Sequence, residues 1–316
     1  MQKNPDFNKM WGLSNTGQSV AGSVGTNGID INILPAWEIT RGNKNVVVAI
    51  IDSGVDYNHP DLISNIMVSK DKARDFLGED SISEDRGAHG THIAGIIAAA
   101  GNKKGMIGVA PQILLLPVRV DLWKEDSLLR AEAINYITHC AINDPERNYI
   151  INCSWKMSAH CKHVHDAICN AIDKNLLVIS GAGNENSNID ESLFYPAAYP
   201  EVISVAAIDQ NGKKGQFSNY GKTVDVVAPG VHIFSTHINN GYKFNDGTSM
   251  AAAYVSGVSA LIWSKNTCLS NIEVRALLEN NCKSIDKYNQ EYIGLLGHGL
   301  VDAYMSLTHI HQFKTV

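Results

Sequence analysis

The sequence contains no apolar run long enough to cross a membrane and no run of lysine or arginine residues. A membrane-spanning helix needs about 20 consecutive apolar residues, and binding to nucleic acid or an anionic membrane needs clustered positive charge. The formal net charge of −6 favours solubility rather than a strongly charged partner. The N-terminus also lacks the basic and apolar regions of a signal peptide. The sequence therefore predicts a soluble chain with no membrane span and no nucleic-acid partner.

Paired CxxC spacing is also missing, as are repeats and low-complexity linkers. The six cysteines are Cys140, Cys153, Cys161, Cys169, Cys268 and Cys282. Their number is too small for a disulfide-bonded scaffold in a chain of 316 residues. They are interpreted as reduced, mostly buried thiols, although a secreted enzyme could pair Cys161 with Cys169 or Cys268 with Cys282. A hydrophobic content of 44% supports one large or two small domains, and the missing linker favours one.

The pattern of apolar runs predicts a doubly wound α/β fold. Val46 to Ile51 is a continuous β-branched run that ends at Asp52, which is typical of a strand buried on both faces of a parallel sheet. Predicted strands and helices alternate after it: a helix after His89, then a strand over 113–120, a helix over 127–143, a strand over 149–154, a helix over 164–174, and strands over 176–180 and 202–206. The result is a single domain with a mostly parallel sheet, helices on both faces and ligands at the strand carboxyl ends.

The two ends of the chain complete this organisation. Residues 1–44 are rich in Asn, Gly and Ser and are predicted to form an extended N-terminal arm before a domain over 45–316. A capping box at Ser270 and Glu273 predicts one late helix, and an apolar pattern from about Leu300 predicts another.

Ser249 lies where a glycine-led turn meets a predicted helix over Met250 to Trp263. The unpaired N–H groups and positive dipole end of a helix start favour negative charge there. Because a serine hydroxyl is a weak nucleophile, it needs a base, a group that orients the base, and donors for an oxyanion. Asp52 and His89 lie at other element junctions. Singly, Asp52 could cap a turn and His89 with His92 could bind metal, but the glutamate of an HExxH motif is missing.

In chain order, Asp52, His89 and Ser249 follow one of the known orders of a Ser-His-Asp triad. The segments 51–56 (Ile-Asp-Ser-Gly-Val-Asp), 89–95 (His-Gly-Thr-His-Ile-Ala-Gly) and 247–251 (Gly-Thr-Ser-Met-Ala) resemble the signature motifs of the subtilisin-like serine peptidases, also called subtilases or peptidase family S8. The thermitase-like branch is the most similar. Further similarity covers residues 11–18, 108–111, 180–184 and 299–303. The resemblance implies a subtilisin-like fold and a serine endopeptidase.

The resemblance also implies a role for each candidate catalytic residue. Ser249 attacks the peptide carbonyl to form an acyl-enzyme, His89 acts as general base and then general acid, and Asp52 orients the imidazole. The Asn184 side chain and the Ser249 backbone N–H donate to the oxyanion. A non-catalytic binding protein with the same fold is the alternative. An α/β-hydrolase esterase is disfavoured because the chain lacks its Gly-x-Ser-x-Gly motif and its residue order.

By the same resemblance, a protein or peptide substrate binds as an added strand along residues 122–127 and 153–156. The substrate-binding residues are expected to be Ser154, Trp155, Lys156, Ser180, Gly181, Ala182 and Gly183, with Glu185 and Phe194 at the primary pocket. Phe194 suggests a shortened pocket. Lys156 stands where the family usually has glycine, so it could narrow the groove, select acidic residues or point to solvent. Ala253 and Tyr254 replace the usual Pro-His, which removes a constraint on the helix behind the nucleophile.

Structural calcium, held by oxygen ligands, is a further implication of the resemblance. The first site maps onto Asp6, Asp61 and Asn102. A second site maps onto Asp75, Asp80 and Glu84, with Gly78 in place of a usual carboxylate. No cofactor is needed for the chemistry, and a monomer is expected. The location stays open: the enzyme is secreted if Met1 replaces a removed signal and propeptide, and cytoplasmic if Met1 is the native start.

Overall fold

The computed structural model describes residues 6–67, 74–78, 85, 87–102 and 105–312. The sequence predicted an extended N-terminal segment, but the segment is only partly extended. It contains a short antiparallel hairpin, β1 (Ser19–Val20) and β2 (Ser23–Val24), and a helix, α1 (Ile33–Ile39). Trp11 is buried and its indole donates to the Val231 carbonyl at 2.9 Å. These contacts attach the segment to the body of the protein, and a one-turn 3₁₀ helix over Phe7–Lys9 begins its described part.

A parallel sheet of seven strands forms the centre of the described structure. Its strands are β3 (Val46–Asp52), β4 (Arg74–Asp75), β5 (Leu114–Arg119), β6 (Asn148–Cys153), β7 (Leu177–Gly181), β8 (Ile203–Ile208) and β9 (Val226–Pro229). Their spatial order is β4-β5-β3-β6-β7-β8-β9. The chain moves from β3 to β5 on one side and then crosses to β6 on the other. The carboxyl end of β3 therefore lies where the winding direction changes, which is where such sheets bind ligands.

Helices cover both faces of this sheet, as the sequence predicted. They are α2 (His89–Ala98), α3 (Ser127–Ile142), α4 (Lys162–Asp173), α5 (Thr248–Lys265), α6 (Asn271–Asn280) and α7 (Ala303–Thr308). Every residue of β3 is buried, and alternate side chains enter two separate cores. Val48 and Ile50 pack with α2 and α5, whereas Ala49 and Ile51 face α3, in the core that also contains residues of α4. The continuous apolar run of β3 reflects this burial on both faces.

α5 is the central helix of one face and contacts β3, β6, β7, β8 and β9. It is buried on nearly all sides, which explains why its sequence shows no polar face. An antiparallel hairpin, β10 (Ile233–His237) and β11 (Gly241–Asn245), leads into it and packs beside α2. In the described part of the chain, no helix is both long enough and apolar enough to span a bilayer.

The ends of the last two helices follow their capping residues. The predicted capping box is confirmed, because Ser270 accepts from the Glu273 N–H and Glu273 accepts from the Ser270 N–H. α7 begins at Ala303 rather than near Leu300, since the Asp302 side chain caps it by accepting from the Met305 N–H at 2.9 Å. Three short 3₁₀ helices, Asp286–Tyr288, Gln290–Tyr292 and Ile310–Gln312, complete the elements of this region.

Candidate active site

Asp52 and His89 meet because β3 ends beside the start of α2. The Nδ1 atom of His89 lies 2.8 Å from Oδ1 and 3.0 Å from Oδ2 of Asp52. The Asp52 side chain is fully buried, whereas 28% of the His89 side chain is exposed. A side chain at Gly90 would clash with the Gly54 carbonyl oxygen, so glycine permits this close approach. Because a carboxylate only accepts hydrogen bonds, Nδ1 carries the proton of the neutral imidazole and Nε2 is left as the base.

Asp85 fixes the loop that leads to His89. Its Oδ1 accepts hydrogen bonds from the N–H groups of Gly87 and Ala88, both at 2.8 Å, and from the Ser53 hydroxyl at 2.8 Å. Its Oδ2 accepts from the N–H and hydroxyl of Thr91 at 2.9 and 2.6 Å. Ala88, which precedes the helix in a left-handed conformation, has no side chain that could cap it. The Asp85 carboxylate therefore caps α2 through the Thr91 N–H, while the Ser53 hydroxyl oxygen accepts from the Gly90 N–H at 3.0 Å.

The two histidines of the motif, His89 and His92, lie three residues apart, and their pKa values shift in opposite directions. Burial lowers the pKa of His89, but the charge and hydrogen bond of Asp52, together with the Asp85 charge, raise it above its ordinary value of 6.5. His92 is fully buried, and its burial lowers its pKa to about 3. Its Nε2 donates to the Lys243 carbonyl at 3.1 Å, which joins α2 to β11. His92 is therefore a neutral structural residue, and His89 is the histidine that can exchange protons near neutral pH.

Ser249 is the second residue of α5, as the glycine-led turn predicted. Thr248 and Asn184 organise its surroundings. The Thr248 N–H and hydroxyl donate to the Asn184 side-chain oxygen at 2.9 and 3.1 Å. The Gly183 N–H donates to the Thr248 hydroxyl oxygen at 3.1 Å. With its oxygen held in this way, Asn184 offers its NH₂ group to the cleft that it lines.

A cleft of about 410 Å³ brings His89, Ser249 and Asn184 together. It is also lined by Leu122, Trp123, Glu125, Ser154, Trp155, Lys156, Gly181, Gly183, Glu185 and Thr248. Five of the seven predicted substrate-binding residues thus line the cleft, as does Glu185 of the predicted primary pocket, whereas Phe194 does not. Ser180 and Ala182 are not in the lining, because both are fully buried below it. Trp123 is 93% exposed at the cleft, so a large apolar surface is available there to a ligand.

Lys156 does not extend freely into solvent, because its ammonium forms an ion pair with Glu185. The Lys156 Nζ also lies 5.0 Å from the centre of the Phe194 ring. The Asn219 amide holds the other Glu185 oxygen, donating to Oε2 at 2.8 Å. The Lys156 carbonyl accepts from the buried Arg130 guanidinium at 2.8 Å. Both partners of the ion pair are therefore anchored, and both line the cleft.

The helix behind Ser249 stays regular although Ala253 and Tyr254 replace the family's Pro-His. α5 is continuous, and both residues are buried. The Tyr254 ring packs against Gly12, where any side chain would clash with it. This contact joins α5 to the N-terminal segment next to the position where the family usually has proline.

A buried polar chain supports the same helix from the sheet. The Ser256 hydroxyl donates to the Asn152 side-chain oxygen at 2.9 Å, and the Asn152 amide donates to the Ser154 hydroxyl at 2.9 Å. The Ser154 hydroxyl reaches the Ser249 carbonyl at 3.4 Å. Because Asn152 is fully buried on β6, these bonds fix α5 relative to the sheet just behind the candidate nucleophile.

The residues of the first predicted calcium site provide an unpaired carboxylate oxygen. Asp61 is fully buried. Its Oδ2 accepts from the Tyr242 hydroxyl at 2.8 Å and from the Met106 N–H at 3.0 Å, whereas its Oδ1 has no partner among the described residues. Burial raises the pKa of Tyr242, and the charges of Asp61 and Asp6 raise it further. Both carboxylates therefore lie near the Tyr242 hydroxyl. The Asn102 amide donates to the Pro60 carbonyl at 2.9 Å in the same region. A buried unpaired anion is costly, and the Asp61 carboxylate fits a hard cation. Asp6 pairs with the exposed Lys9 ammonium at 2.7 Å, so the case for this site depends on Asp61.

The second predicted calcium site is supported less well. Asp75 forms a buried ion pair with Arg119 at 3.0 Å and accepts from the Leu77 N–H at 2.8 Å. A neighbouring guanidinium opposes the binding of a second cation. Asp80 and Glu84, the other two residues of this prediction, lie outside the described residues.

Comparison with known proteins decides the family, because the family model for subtilases, peptidase family S8, matches residues 43–299. The chain belongs to the subtilase family. This subtilase is 37% identical over 275 residues to the thermophilic serine proteinase of Bacillus sp. (strain AK1), a match that covers 87% of this chain and 64% of that protein. It is 36% identical over 275 residues to thermitase of Thermoactinomyces vulgaris, covering 87% and 92% of the two chains. The chain therefore spans somewhat less than two thirds of the first of these relatives.

Solved structures agree with this result. A protease from Pseudoalteromonas arctica PAMC 21717 superposes on this subtilase with a TM-score of 0.84 at 26% identity, covering 98% of this chain and 100% of that one. The comparisons confirm the family resemblance, including the similarity to thermitase, and the doubly wound fold that the apolar runs predicted.

Asp85 and Thr248 are the residues of this subtilase that the sequence analysis missed. Asp85 lies four residues before His89, within reach of a helix-capping position, but it follows other acidic residues and was not distinguished from them. The sequence indicated Thr248 only as a member of the motif around Ser249, with no role of its own. Its contact with Asn184 joins residues 64 positions apart, so local sequence carried no signal for it.

Proposed function

We propose that this chain is a serine endopeptidase that hydrolyses peptide bonds through an acyl-enzyme on Ser249. The observation that carries the proposal is the hydrogen-bonded pair of Asp52 and His89 beside the cleft that Ser249 also lines. The subtilase membership supports the same reaction class. A non-catalytic binding protein would not need a base held by a buried carboxylate next to a serine at a helix start.

In the proposed reaction, Ser249 Oγ attacks the carbonyl carbon of the scissile bond while its proton passes to Nε2 of His89. Asp52 keeps the other ring proton on Nδ1 and stabilises the imidazolium that forms. Collapse of the tetrahedral intermediate breaks the C–N bond, and the leaving amine takes the proton from His89. A water molecule, deprotonated by His89, then attacks the acyl-enzyme. The bond between the acyl carbon and Ser249 Oγ breaks, His89 returns its proton to Oγ, and the acid is released.

The oxyanion of each tetrahedral intermediate is bound by two donors in this proposal: the Asn184 NH₂ group and the Ser249 backbone N–H at the start of α5. The two hydrogen bonds that Asn184 accepts from Thr248 hold the amide before substrate arrives. Such preorganised donors are effective because they need no rearrangement as charge develops. The positive end of α5 adds to the same stabilisation.

We propose that the substrate is an extended peptide that lies between residues 122–127 and 153–156. Trp123 presents an exposed ring to it at the cleft. Because Lys156 and Glu185 neutralise each other, the cleft favours uncharged side chains beside them and restricts their size. The expected monomer stays a prediction, which sedimentation of the Ser249→Ala variant tests.

We also propose one structural calcium site at Asp6, Asp61 and Asn102. The supporting observation is the buried, unpaired Oδ1 of Asp61. When bound, calcium would supply positive charge to these oxygen ligands and stabilise the loops that carry them. Asp75 is engaged by Arg119, so we propose no ion there.

A fluorophosphonate probe tests the proposed function, because it reacts covalently with an activated serine. We expect one label on the wild-type chain and none on Ser249→Ala. The matched control Ser192→Ala, which changes an exposed serine, should label like wild type. Thermal unfolding of Ser249→Ala should match wild type, which separates loss of the nucleophile from loss of the fold. Labelling that persists in Ser249→Ala would refute the assignment.

A further inference from the structure

A group of metal-ligating side chains lies where α4 packs beside the segment that leads into β8. His165 and Cys169 are four residues apart on α4, and Glu201 lies two residues before β8. His165 Nε2 is 3.2 Å from Glu201 Oε2. One possible ligand atom from each of the three residues lies within 4.8 Å of the other two. We propose that His165, Cys169 and Glu201 form a binding site for a divalent transition-metal ion such as Zn²⁺.

The donor chemistry selects the class of ion. Calcium and magnesium prefer oxygen ligands, whereas a thiolate, an imidazole and a carboxylate together suit Zn²⁺ or Co²⁺. Zinc bonds of about 2.0–2.3 Å in a tetrahedral site separate the ligand atoms by roughly 3.3–3.6 Å. His165 and Glu201 already have about this separation. The Cys169 sulfur lies within 4.8 Å of the other two ligand atoms, and a change in its side-chain torsion can bring it to the distance that zinc needs.

The site is partly organised before an ion binds. His165 and Cys169 point from the same face of α4 because residues four apart on a helix are neighbours. The His165 ring stacks on Tyr199, with ring centres 4.4 Å apart and planes 16° apart. Tyr199 is buried, and its hydroxyl donates to the Cys161 carbonyl at 3.2 Å, so it fixes the imidazole plane.

An ion can reach the site from solvent. The side chains of His165 and Glu201 are each 31% exposed, which leaves room for a water molecule as fourth ligand. Zinc sites with three protein ligands and a water are open in this way.

A bound ion would link α4 to the wall of the cleft. Tyr199 contacts Tyr195, with ring centres 4.6 Å apart. Tyr195 exchanges two backbone hydrogen bonds with Met157, at 2.6 and 3.0 Å, and Met157 follows Lys156 of the cleft. The ion would therefore restrain the segment that carries this part of the substrate groove.

Co²⁺ is the probe for the test, because a cobalt–thiolate bond gives a charge-transfer absorption band that oxygen sites lack. The 316-residue chain carrying Ser249→Ala, which prevents self-digestion, is titrated with Co²⁺. Saturating Ca²⁺ is present to fill oxygen-only sites. We expect one Co²⁺ per chain with the thiolate band, displaced by Zn²⁺. Zn²⁺ should also raise the unfolding temperature of this chain.

Matched variants identify the ligands. Cys169→Ser should abolish the band, and His165→Gln or Glu201→Gln should weaken Co²⁺ binding by at least about tenfold, since even outer-shell changes cost this much. The controls are Cys268→Ser, an exposed cysteine elsewhere, and His163→Gln, an exposed histidine on the same helix; both should bind like the parent. Unfolding of each variant without metal checks that it folds. Absence of the band in the folded parent, or its persistence in Cys169→Ser, overturns the proposal and leaves His165 and Glu201 as a hydrogen-bonded pair only.

Discussion

At the scale of single residues, His89 determines the pH at which the proposed reaction begins. Its raised pKa means that the imidazole keeps a proton above pH 6.5, and a protonated Nε2 cannot accept the proton of Ser249. We therefore expect kcat/KM on a chromogenic peptide to fall as the pH decreases through a pKa above 6.5. The acid side of a pH–rate profile measures this pKa in the free enzyme.

Asp52 is the control for this prediction, because its charge and hydrogen bond raise the His89 pKa. In Asp52→Asn the acid limb should move to lower pH, while kcat falls by on the order of 10⁴ because the imidazole tautomer is no longer fixed. An acid limb that does not move in this variant would contradict the assigned pairing.

Asp85 is predicted to act as a positioning residue. It affects His89 through its hydrogen bonds to the preceding loop and through its negative charge. Asp85→Asn keeps one acceptor oxygen but removes the charge that helps to raise the His89 pKa. We expect the acid limb of kcat/KM to shift to lower pH and the free energy of unfolding to fall by about 1–3 kcal/mol, because buried donors lose a charged acceptor. Denaturant unfolding and the pH profile measure the two effects.

Asp173→Asn is the matched control, because Asp173 is exposed at the end of α4. It should leave both quantities unchanged. If Asp85→Asn lowers stability but leaves the pH profile in place, Asp85 is a structural cap only and does not act on His89.

At the scale of elements, the sequence predicted best the strands that are buried on both faces. Apolar runs of this kind cannot face water, so they form buried strands. Five strands were predicted in this way, and their ends agree with the prediction within two residues: β3, β5, β6, β7 and β8. α1, β4, β9 and the β10–β11 hairpin were not predicted. They are short or partly exposed, so tertiary packing rather than residue pattern determines them.

The same contrast applies to the site. Asp52, His89, Ser249 and Asn184 were predicted because motifs surround them. The structure places His89, Ser249 and Asn184 in the lining of one cleft, and Asp52 is buried against His89. Lys156 and Glu185 both line the cleft and pair although they lie 29 positions apart in the sequence. No local sequence pattern predicts such a contact. Sequence could identify Lys156 as unusual but could not give its partner.

That ion pair leads to a prediction about substrate choice. Lys156→Ala widens the cleft and leaves Glu185 without its cation. We expect kcat/KM for peptides with lysine or arginine beside the scissile bond to rise by about fivefold, or roughly 1 kcal/mol, as for a partly exposed ion pair. Glu185→Gln should have the reverse preference and favour acidic side chains. A library of peptides that differ at one position measures these ratios.

Lys222→Ala, a change of an exposed lysine outside the cleft lining, is the control and should leave the ratios as in wild type. Equal gains for acidic and basic peptides in Lys156→Ala would indicate a steric effect without charge selection.

At the scale of the whole molecule, Asp61 connects metal binding to stability. It is buried beside the β10–β11 hairpin, where the hydroxyl of Tyr242 of β11 donates to its Oδ2. With calcium bound, its unpaired oxygen is satisfied; without calcium, a buried charge stays only partly compensated. The proposed ion should therefore stabilise the native state against unfolding, by about 2.7 kcal/mol at a hundredfold excess over its Kd.

Two measurements test this in the Ser249→Ala background, where self-digestion cannot obscure unfolding. Adding EDTA should lower the unfolding temperature of the parent, and calcium should restore it. Asp61→Asn should lose this calcium dependence, yet in EDTA it should be at least as stable as the parent, because the substitution removes a buried charge while keeping an acceptor for Tyr242. Asp75→Asn should keep the calcium dependence although it loses the Arg119 ion pair. If the parent unfolds at one temperature with calcium and with EDTA, Asp61 holds no ion, and its buried oxygen needs another explanation.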